Sequence, residues 1–307
     1  MNNTLRHSPR LRDIRVAPYY FLLPFTVLFL VFTIAPVVYD FGLSLFTSTL
    51  VGGTHFGWFA NYSSVLQSGI FWGSILRVAE YGIGVMAVTL TCSVTFAVLL
   101  DFEYVKFVRA FKLIFFLPYA VPGSIAVMIW GFLLEPQLGT YPLLARDAGF
   151  GSVNFLGTHL VLFSIGSVSV WALTGFNMLV IYTALKGVPL ENIEAAVVDG
   201  ASKWQIAMKV KLPQIRAVVM GMGFLGVLGA LQLFTEPSIL SVLTDSISTE
   251  YTPAMLVDST ISTQSNNNYA AAMAFVLAVI SLIFAGGLLG IFIHRRGGFE
   301  SNARRPA

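Results

Sequence analysis

Side chains that could do chemistry are few in this sequence, and their spacing forms no catalytic set. Four scattered histidines have no carboxylate at ligand spacing, and the single cysteine, Cys92, has no second cysteine to pair with. Gly221, Gly223 and Gly226 have the spacing of a dinucleotide-binding loop, which needs a strand before it and a helix after it. They lie inside a long apolar run, so close helix packing is the better interpretation. The sequence contains no Gly-x-x-x-x-Gly-Lys-Ser/Thr phosphate-binding pattern, so ATP hydrolysis on this chain is not predicted.

Two charged residues lie in an apolar stretch. Arg77 and Glu80 are three residues apart, so they share a helix face and can form an ion pair. A charge at the centre of a bilayer costs about 2.5–3.5 kcal/mol on insertion scales, and acids within a membrane usually face a cavity or a partner. Glu80 is interpreted as the only plausible acid in the middle of a span. A structural ion pair is the favoured interpretation, and a role in a translocation path is the alternative.

The elements that carry these residues are predicted to be membrane helices. Of the 307 residues 56% are hydrophobic and 11% are charged, whereas a soluble domain has about 25% charged residues. A helix needs about 20 residues to cross a hydrocarbon core of about 30 Å. Six stretches are long enough: Ala17–Tyr39, Ile70–Leu100, Leu113–Leu134, His159–Thr183, Ile215–Leu240 and Tyr269–Ile293. We therefore expect an all-α membrane protein with six transmembrane helices.

The basic residues predict how this bundle is oriented. Sixteen of the 18 Lys and Arg residues lie on one side of the six predicted spans or at their edges on that side. By the positive-inside rule this side is cytoplasmic, and it includes both termini. The predicted divisions are a cytoplasmic segment 1–16, a transmembrane domain 17–294 and a disordered cytoplasmic tail 295–307. A cleaved signal peptide is the alternative for the first span, but its apolar run is longer than the usual core of about 7–15 residues.

A polar segment, residues 187–213, lies between the fourth and fifth predicted spans. Pro189 suits the start of a helix, and Glu194 lies near the positive end of that helix. Gly200 can end the helix in a left-handed conformation, and Ser202 with Gln205 has the pattern of a capping box that opens a second helix. The segment is therefore predicted to be two short cytoplasmic helices that meet at a glycine elbow. An amphipathic loop lying on the lipid surface is the alternative.

The same segment resembles the EAA loop by which permease subunits of ABC importers dock on their ATPases. The matching residues are Glu194, Ala195, Ala196, Asp199, Gly200, Ala201, Leu212 and Pro213. The resemblance to sugar-type permeases extends over residues 15–295, including the Leu117–Pro122 stretch and the lead-in Lys186–Pro189. It implies the type I ABC importer permease fold in a bacterial inner membrane, with the loop docking on an ATPase.

The resemblance also implies the partners. They are a second permease subunit, different from this one, two ATPase subunits and an extracytoplasmic solute-binding protein, together with the lipid membrane and no nucleic acid. This chain is expected to hold no cofactor, since ATP and Mg²⁺ belong to the ATPase subunits. The solute implied is a sugar, a polyol or a glycerol phosphate.

Polar and aromatic residues in the spans are the candidates for the solute path. Aromatic faces stack on sugar rings, and amide groups both donate to and accept from hydroxyl groups. The candidates are Tyr119, Trp171, Asn177, Gln232, Glu80 and Arg77. The alternative for Asn177 and Gln232 is a hydrogen bond between neighbouring helices.

Two other classes of protein are alternatives to an importer permease. A self-contained secondary transporter driven by an ion gradient commonly has two related halves and ionisable residues at the midplane, and this sequence has no evident internal repeat. A membrane enzyme would need a Ser/His/Asp set or a metal set, and neither pattern is visible. The importer permease is therefore the favoured interpretation.

Overall fold

The computed structural model describes residues 11–49, 53–102 and 104–303, which are mostly helical. Residues 1–10 of the predicted N-terminal segment and 304–307 of the predicted tail lie outside the described residues. The last helix continues to Ala303, so the described part of the tail is helical, not disordered as predicted.

The described chain contains fifteen helices and one small hairpin, and two π-helical turns each join a pair of the helices. The helices are α1 Leu11–Phe29, α2 Ala35–Ser44, α3 Ala60–Gln67, α4 Gly69–Asp101, α5 Val108–Ala120, α6 Gly123–Leu134, α7 Thr140–Asp147, α8 Val161–Lys186, α9 Leu190–Val198, α10 Lys203–Gln205, α11 Leu212–Gln214, α12 Arg216–Ala230, α13 Thr235–Leu240, α14 Pro253–Ser262 and α15 Asn267–Ala303. The π-helical turns are Leu30–Ile34, between α1 and α2, and Ile206–Lys211, between α10 and α11. The strands β1 Phe46–Thr49 and β2 Gly53–Phe56 pair antiparallel, with Phe46 opposite Phe56.

Four of the predicted spans are continuous helices that are long and apolar enough to cross a membrane. They are Tyr19–Ser44, Gly69–Asp101, Val161–Lys186 and Asn267–Gly287. The third predicted span is instead the bent pair α5 and α6, and the fifth is α12 and α13 separated by a turn. α5 and α6 meet at 93°, and the segment Lys203–Gln214 meets α12 at 62°. The described chain thus has four to six candidate membrane spans, which is consistent with the six predicted spans, although Leu113–Leu134 and Ile215–Leu240 are each divided into two helices.

Both divisions have local causes. Proline disfavours helical geometry in the residue before it, and Val121, which precedes Pro122, is extended with ψ 128°. At the other site α12 ends at Ala230, and Gln232 lies in the turn that separates α12 from α13. Non-helical backbone within a membrane is tolerated where it is buried in protein or lines a cavity, so the two breaks indicate where a cavity lies.

α4 is the central helix, and it packs against both α8 and α12. Small residues allow the closest approaches. A Cβ atom at Gly226 of α12 would collide with the Met86 side chain of α4, and one at Gly175 of α8 would collide with the Phe115 backbone of α5. Gly226 belongs to the dinucleotide-like sequence, so its role in helix packing is confirmed.

Candidate functional site

A cavity of about 390 Å³ lies among α4, α5, α8 and α12 and the turn after α12. We refer to it as the Tyr119 cavity. Three of the predicted solute-path residues line it: Tyr119 from α5, Asn177 from α8 and Gln232 from the turn after α12. They are at least 55 residues apart along the chain. The fold therefore brings three separately predicted residues to one cavity.

One wall of the Tyr119 cavity is aromatic. The rings of Tyr119 and Phe176 are stacked, with centroids 4.6 Å apart and planes at 17°. The Tyr119 side chain remains 44% exposed, so its ring offers free surface to a bound molecule. Flat apolar rings of this kind pack against the C–H faces of a sugar.

Another part of the lining is polar and includes residues that the sequence did not single out. The Tyr81 hydroxyl and the Ser169 hydroxyl are 2.7 Å apart, and Ser169 Oγ is 3.4 Å from Glu236 Oε1. All three residues line the cavity. The interpretation of Glu80 as the only plausible acid in the middle of a span left out Glu236, which lies near the end of the predicted fifth span Ile215–Leu240. Its position among apolar residues was the signal available in the sequence.

Arg77, Glu80 and Trp171 line a second cavity, of about 790 Å³, instead of the Tyr119 cavity. We refer to it as the Arg77 cavity. It lies on another side of α4, whose Tyr81 and Val85 line both cavities. The predicted solute-path residues therefore form two groups of three in two cavities, both of which are lined by α4 and α8.

The predicted Arg77–Glu80 ion pair is not among the ion pairs of the described residues. The Arg77 guanidinium instead donates to the Tyr251 carbonyl oxygen, with an N–O distance of 2.6 Å, and lies 4.5 Å from the centroid of the Tyr251 ring. Burial raises the pKa of the Tyr251 hydroxyl; the Arg77 charge lowers that pKa, and the Glu80 charge raises it. Arg77 thus fixes the loop between α13 and α14 to α4.

The loop between α8 and α12 has the predicted elbow. Gly200 has φ +79°, the Gly200 amide donates to the Val197 carbonyl, and the Ala201 amide donates to the Ala196 carbonyl. This pair of bonds is the Schellman motif that ends a helix at a left-handed glycine. The capping box is confirmed as well, since Ser202 accepts from the Gln205 amide and the Gln205 side chain accepts from the Ser202 amide.

The two loop helices differ in detail from the prediction. Leu190 is the first residue of α9, so Pro189 precedes the helix as its N-cap. The second helix continues through the π-helical turn past Pro213 to Gln214 before the 62° bend. Asn192 donates to the Gln214 side-chain oxygen at 3.2 Å, which fastens the first helix to the end of the second.

Five of the eight predicted docking residues are exposed on the loop, and the other three are half-buried. Ile193 and Leu212 pack against the apolar cluster at this end of the bundle. Glu194, Ala195 and Asp199 are exposed, together with Gly200 and Pro213, whereas Ala196, Ala201 and Leu212 are half-buried. Val198 is 86% exposed and Trp204 is 56% exposed. The loop therefore presents acidic, small and large apolar residues on one accessible surface.

Apolar spans, bent helices at a polar cavity and an exposed two-helix loop define a multi-pass helical membrane protein with the features of a transport subunit. The chain belongs to the family of binding-protein-dependent transport system inner membrane components, which it matches over residues 93–296. The family predicted from the residues is confirmed.

Among its relatives is the trehalose/maltose transport system permease protein MalF of Thermococcus litoralis, which is 29% identical over 246 residues, covering 80% of this chain and 82% of that protein. The diacetylchitobiose uptake system permease protein NgcF of Streptomyces coelicolor is 28% identical over 262 residues, covering 81% of this chain and 74% of that protein. A similar fold occurs in the crystal structure of a bacterial alginate ABC transporter in complex with an alginate pentasaccharide-bound periplasmic protein, with a TM-score of 0.79 at 20% identity over 91% of this chain and 96% of that one.

Proposed function

We propose that this chain is the permease subunit of an ATP-driven sugar importer, that it forms half of the pore, and that both of its termini are cytoplasmic. The observation that carries the proposal is the convergence of Tyr119, Asn177 and Gln232 on one cavity. Membership of the inner membrane component family supports the importer class. The clustering of basic residues on one side of the spans supports the orientation.

The chemistry of the Tyr119 cavity favours a sugar. Its volume of about 390 Å³ lies within the range of roughly 300–1,000 Å³ for small-molecule sites. The Tyr119–Phe176 stack supplies an aromatic face, and the amides of Asn177 and Gln232 supply donors and acceptors for hydroxyl groups. The relatives named for trehalose, maltose and diacetylchitobiose transport support the same class of solute. The acid Glu236 in the wall favours a neutral sugar over a glycerol phosphate, because an anionic solute would be repelled.

The loop α9–α11 is proposed as the docking site for an ATPase subunit. A protein groove accounts for the exposed loop face better than a lipid surface does, because Glu194 and Asp199 are exposed beside Val198 and acids are repelled by anionic headgroups. The Schellman elbow at Gly200 holds the two short helices in a fixed relative orientation. In this scheme ATP and Mg²⁺ bind to two ATPase subunits, while a second permease completes the pore and an external binding protein delivers the sugar.

The cavity is tested by uptake of a sugar series into vesicles that contain the reconstituted transporter. Phe176→Ala and Asn177→Leu are expected to lower uptake about tenfold or more, since each removes a contact that orients the solute. Phe132→Ala is the matched control, because Phe132 is 68% exposed on α6 and does not line the cavity. Uptake by the Phe176 and Asn177 variants at the rate of the Phe132 control would refute the assignment of this cavity.

Docking is tested by copurification of the ATPase subunit with the tagged permease. Glu194→Lys and Gly200→Val are expected to lower the recovered ATPase, the first by reversing an exposed charge and the second by placing a branched side chain at φ +79°. Asp147→Lys, an exposed charge reversal outside the loop, is the control. Full ATPase recovery and full uptake in both loop variants would exclude docking through α9–α11.

A further inference from the structure

A buried carboxylate lies between the bundle and the docking loop. Asp101 is the last residue of α4, and its side chain is 6% exposed. Its Oδ1 atom is 2.8 Å from the Lys186 ammonium at the end of α8, and its Oδ2 atom is 2.6 Å from the Lys211 ammonium in the docking loop. We refer to these three residues as the Asp101 clasp. It joins the ends of two spans to the second docking helix.

The position of Asp101 is unfavourable for an acid unless cations surround it. The C-terminal end of a helix carries a partial negative charge, and burial disfavours a carboxylate. Both lysines compensate for these effects, and the Lys211 side chain is itself only 14% exposed. Lys186 Nζ also lies 3.5 Å from the Asp101 carbonyl oxygen, at the negative end of α4. The Asp101–Lys211 pair is therefore largely shielded from water, where charge interactions are strongest, whereas the Lys186 side chain is 50% exposed.

Aromatic contacts also join the end of α4 to the docking helices. Phe102 stacks on Tyr104 with ring centroids 5.3 Å apart, and the Trp204 ring of α10 lies 6.4 Å from Phe102. A cavity of about 190 Å³ adjoins these contacts and is lined by Asp101 and Phe102 at the end of α4, by Ile193 and Val197 of α9, and by Lys203 and Lys211 of the second docking helix. The docking helices are therefore not packed solidly on the end of α4. The clasp is a specific attachment at the edge of a loosely filled space.

The covalent chain connects the docking loop to α8 and α12 but not to α4. α8 leads into α9 through three residues, 187–189, and α11 leads into α12 at the 62° bend. α4 reaches the loop only through non-covalent contacts, and its Tyr81 lies in the wall between the Tyr119 and Arg77 cavities. A movement of the loop can reach this wall directly, through the contacts at the end of α4, or indirectly, through the packing of α4 against α8 and α12.

We infer that Asp101 is a positioning residue for energy coupling, which holds α4 to the docking helices through Lys211 and to α8 through Lys186. This inference rests on the proposed docking of an ATPase on α9–α11. Without the clasp, the ATPase is expected to bind the permease as before, but the loaded binding protein no longer stimulates ATP hydrolysis.

The test uses the full transporter in vesicles with its binding protein, and it compares Asp101→Asn, Lys211→Met, the double variant and Lys211→Arg. Lys106→Met is the matched control, because Lys106 is an exposed lysine in the α4–α5 connection. Three quantities are measured: ATPase copurification, ATP hydrolysis stimulated by the loaded binding protein, and the melting temperature in detergent. We expect normal copurification in all variants and a loss of stimulated hydrolysis of about tenfold or more in Asp101→Asn and Lys211→Met. Lys211→Arg and Lys106→Met should resemble the wild type.

The double variant separates coupling from stability. Each single neutralisation leaves a buried charge without its partner and should lower the melting temperature, whereas the double variant removes both charges and should regain much of the loss. If the clasp only stabilised the fold, stimulated hydrolysis would return with the melting temperature, and the inference would be overturned. Stimulated hydrolysis at the wild-type rate in Asp101→Asn would also overturn it. A wild-type chain that retains no ATPase would refute the proposed docking itself, a result distinct from both.

Discussion

Replacing Gly175 by alanine tests the closest approach in the bundle, between α8 and α5. A Cβ atom at position 175 would collide with the Phe115 carbonyl group and lie 2.9 Å from the Phe116 amide nitrogen. Both obstacles are backbone atoms, so a side-chain rotation cannot relieve the collision. The two helices have to separate, and the stack between Tyr119 of α5 and Phe176 of α8 has to open with them.

The expected loss of stability in the Gly175→Ala variant follows from overpacking of the bundle. Forcing extra volume into a well-packed interior typically costs about 1–3 kcal/mol. In chains of about 150–250 residues each kcal/mol lowers the melting temperature by roughly 2–4 °C, so a cost of about 2 kcal/mol corresponds to roughly 4–8 °C. Sugar uptake should fall as well, because the displaced Tyr119 ring no longer faces the solute.

The assay is thermal unfolding of the purified chain in detergent, followed by tryptophan fluorescence, with uptake measured in vesicles. Gly221→Ala in α12 is the control, because a Cβ atom there meets nothing within 4 Å. The control should melt at or above the wild-type temperature, since alanine favours a helix over glycine by up to about 1 kcal/mol. A Gly175→Ala variant that melts at or above the wild type would refute the backbone contact. Equal decreases in melting temperature in Gly175→Ala and Gly221→Ala would show that any glycine in these helices is needed, and not specifically the one beside the Phe115 backbone.

Two further predictions concern single contacts. Ser202→Ala removes the capping box and should destabilise the start of the second docking helix by about 0.5–2 kcal/mol. Amide hydrogen exchange should become faster over 203–206 and stay unchanged in α14, whose N-cap is a different residue, Thr252. Arg77→Gln removes the hydrogen bond to the Tyr251 carbonyl oxygen and the contact with the Tyr251 ring, and it should speed amide hydrogen exchange around Tyr251 at least about fivefold. Arg146→Gln, at an exposed arginine, should leave this exchange unchanged. Equal exchange rates in the two variants would contradict this role of Arg77.

The features that the sequence predicted best are those fixed by local rules. The elbow at Gly200 and the capping box of Ser202 depend on backbone groups within five residues, and both are confirmed. The four continuous spans follow from apolar length alone. The two-helix structure of the docking loop, including the end of its first helix, was therefore predictable from its residues.

The features that could not be predicted depend on contacts between distant segments. Apolar length does not show whether a span is bent, and both bends had to be read from the structure. Arg77 and Glu80 satisfied the spacing rule for a helix pair, yet Tyr251, 174 residues from Arg77, provides the closer partner. Likewise, the sequence does not place Trp171 and Asn177 in different cavities, because six residues along α8 change which neighbouring helices a side chain faces.

The order of elements explains how one loop could act on the Tyr119 cavity from two sides. Asn177 precedes the end of α8 at Lys186 by nine residues, about 13 Å of helix at 1.5 Å per residue. After the loop, α12 runs back to the same cavity and ends just before Gln232. The two helices that flank the loop in the chain thus supply two walls, and both are stiff over these lengths. α4 supplies a third wall and has no covalent connection to the loop, so under the proposed coupling Asp101 adds a direct attachment to the packing of α4 against α8 and α12 and helps to move Tyr81 together with Asn177 and Gln232.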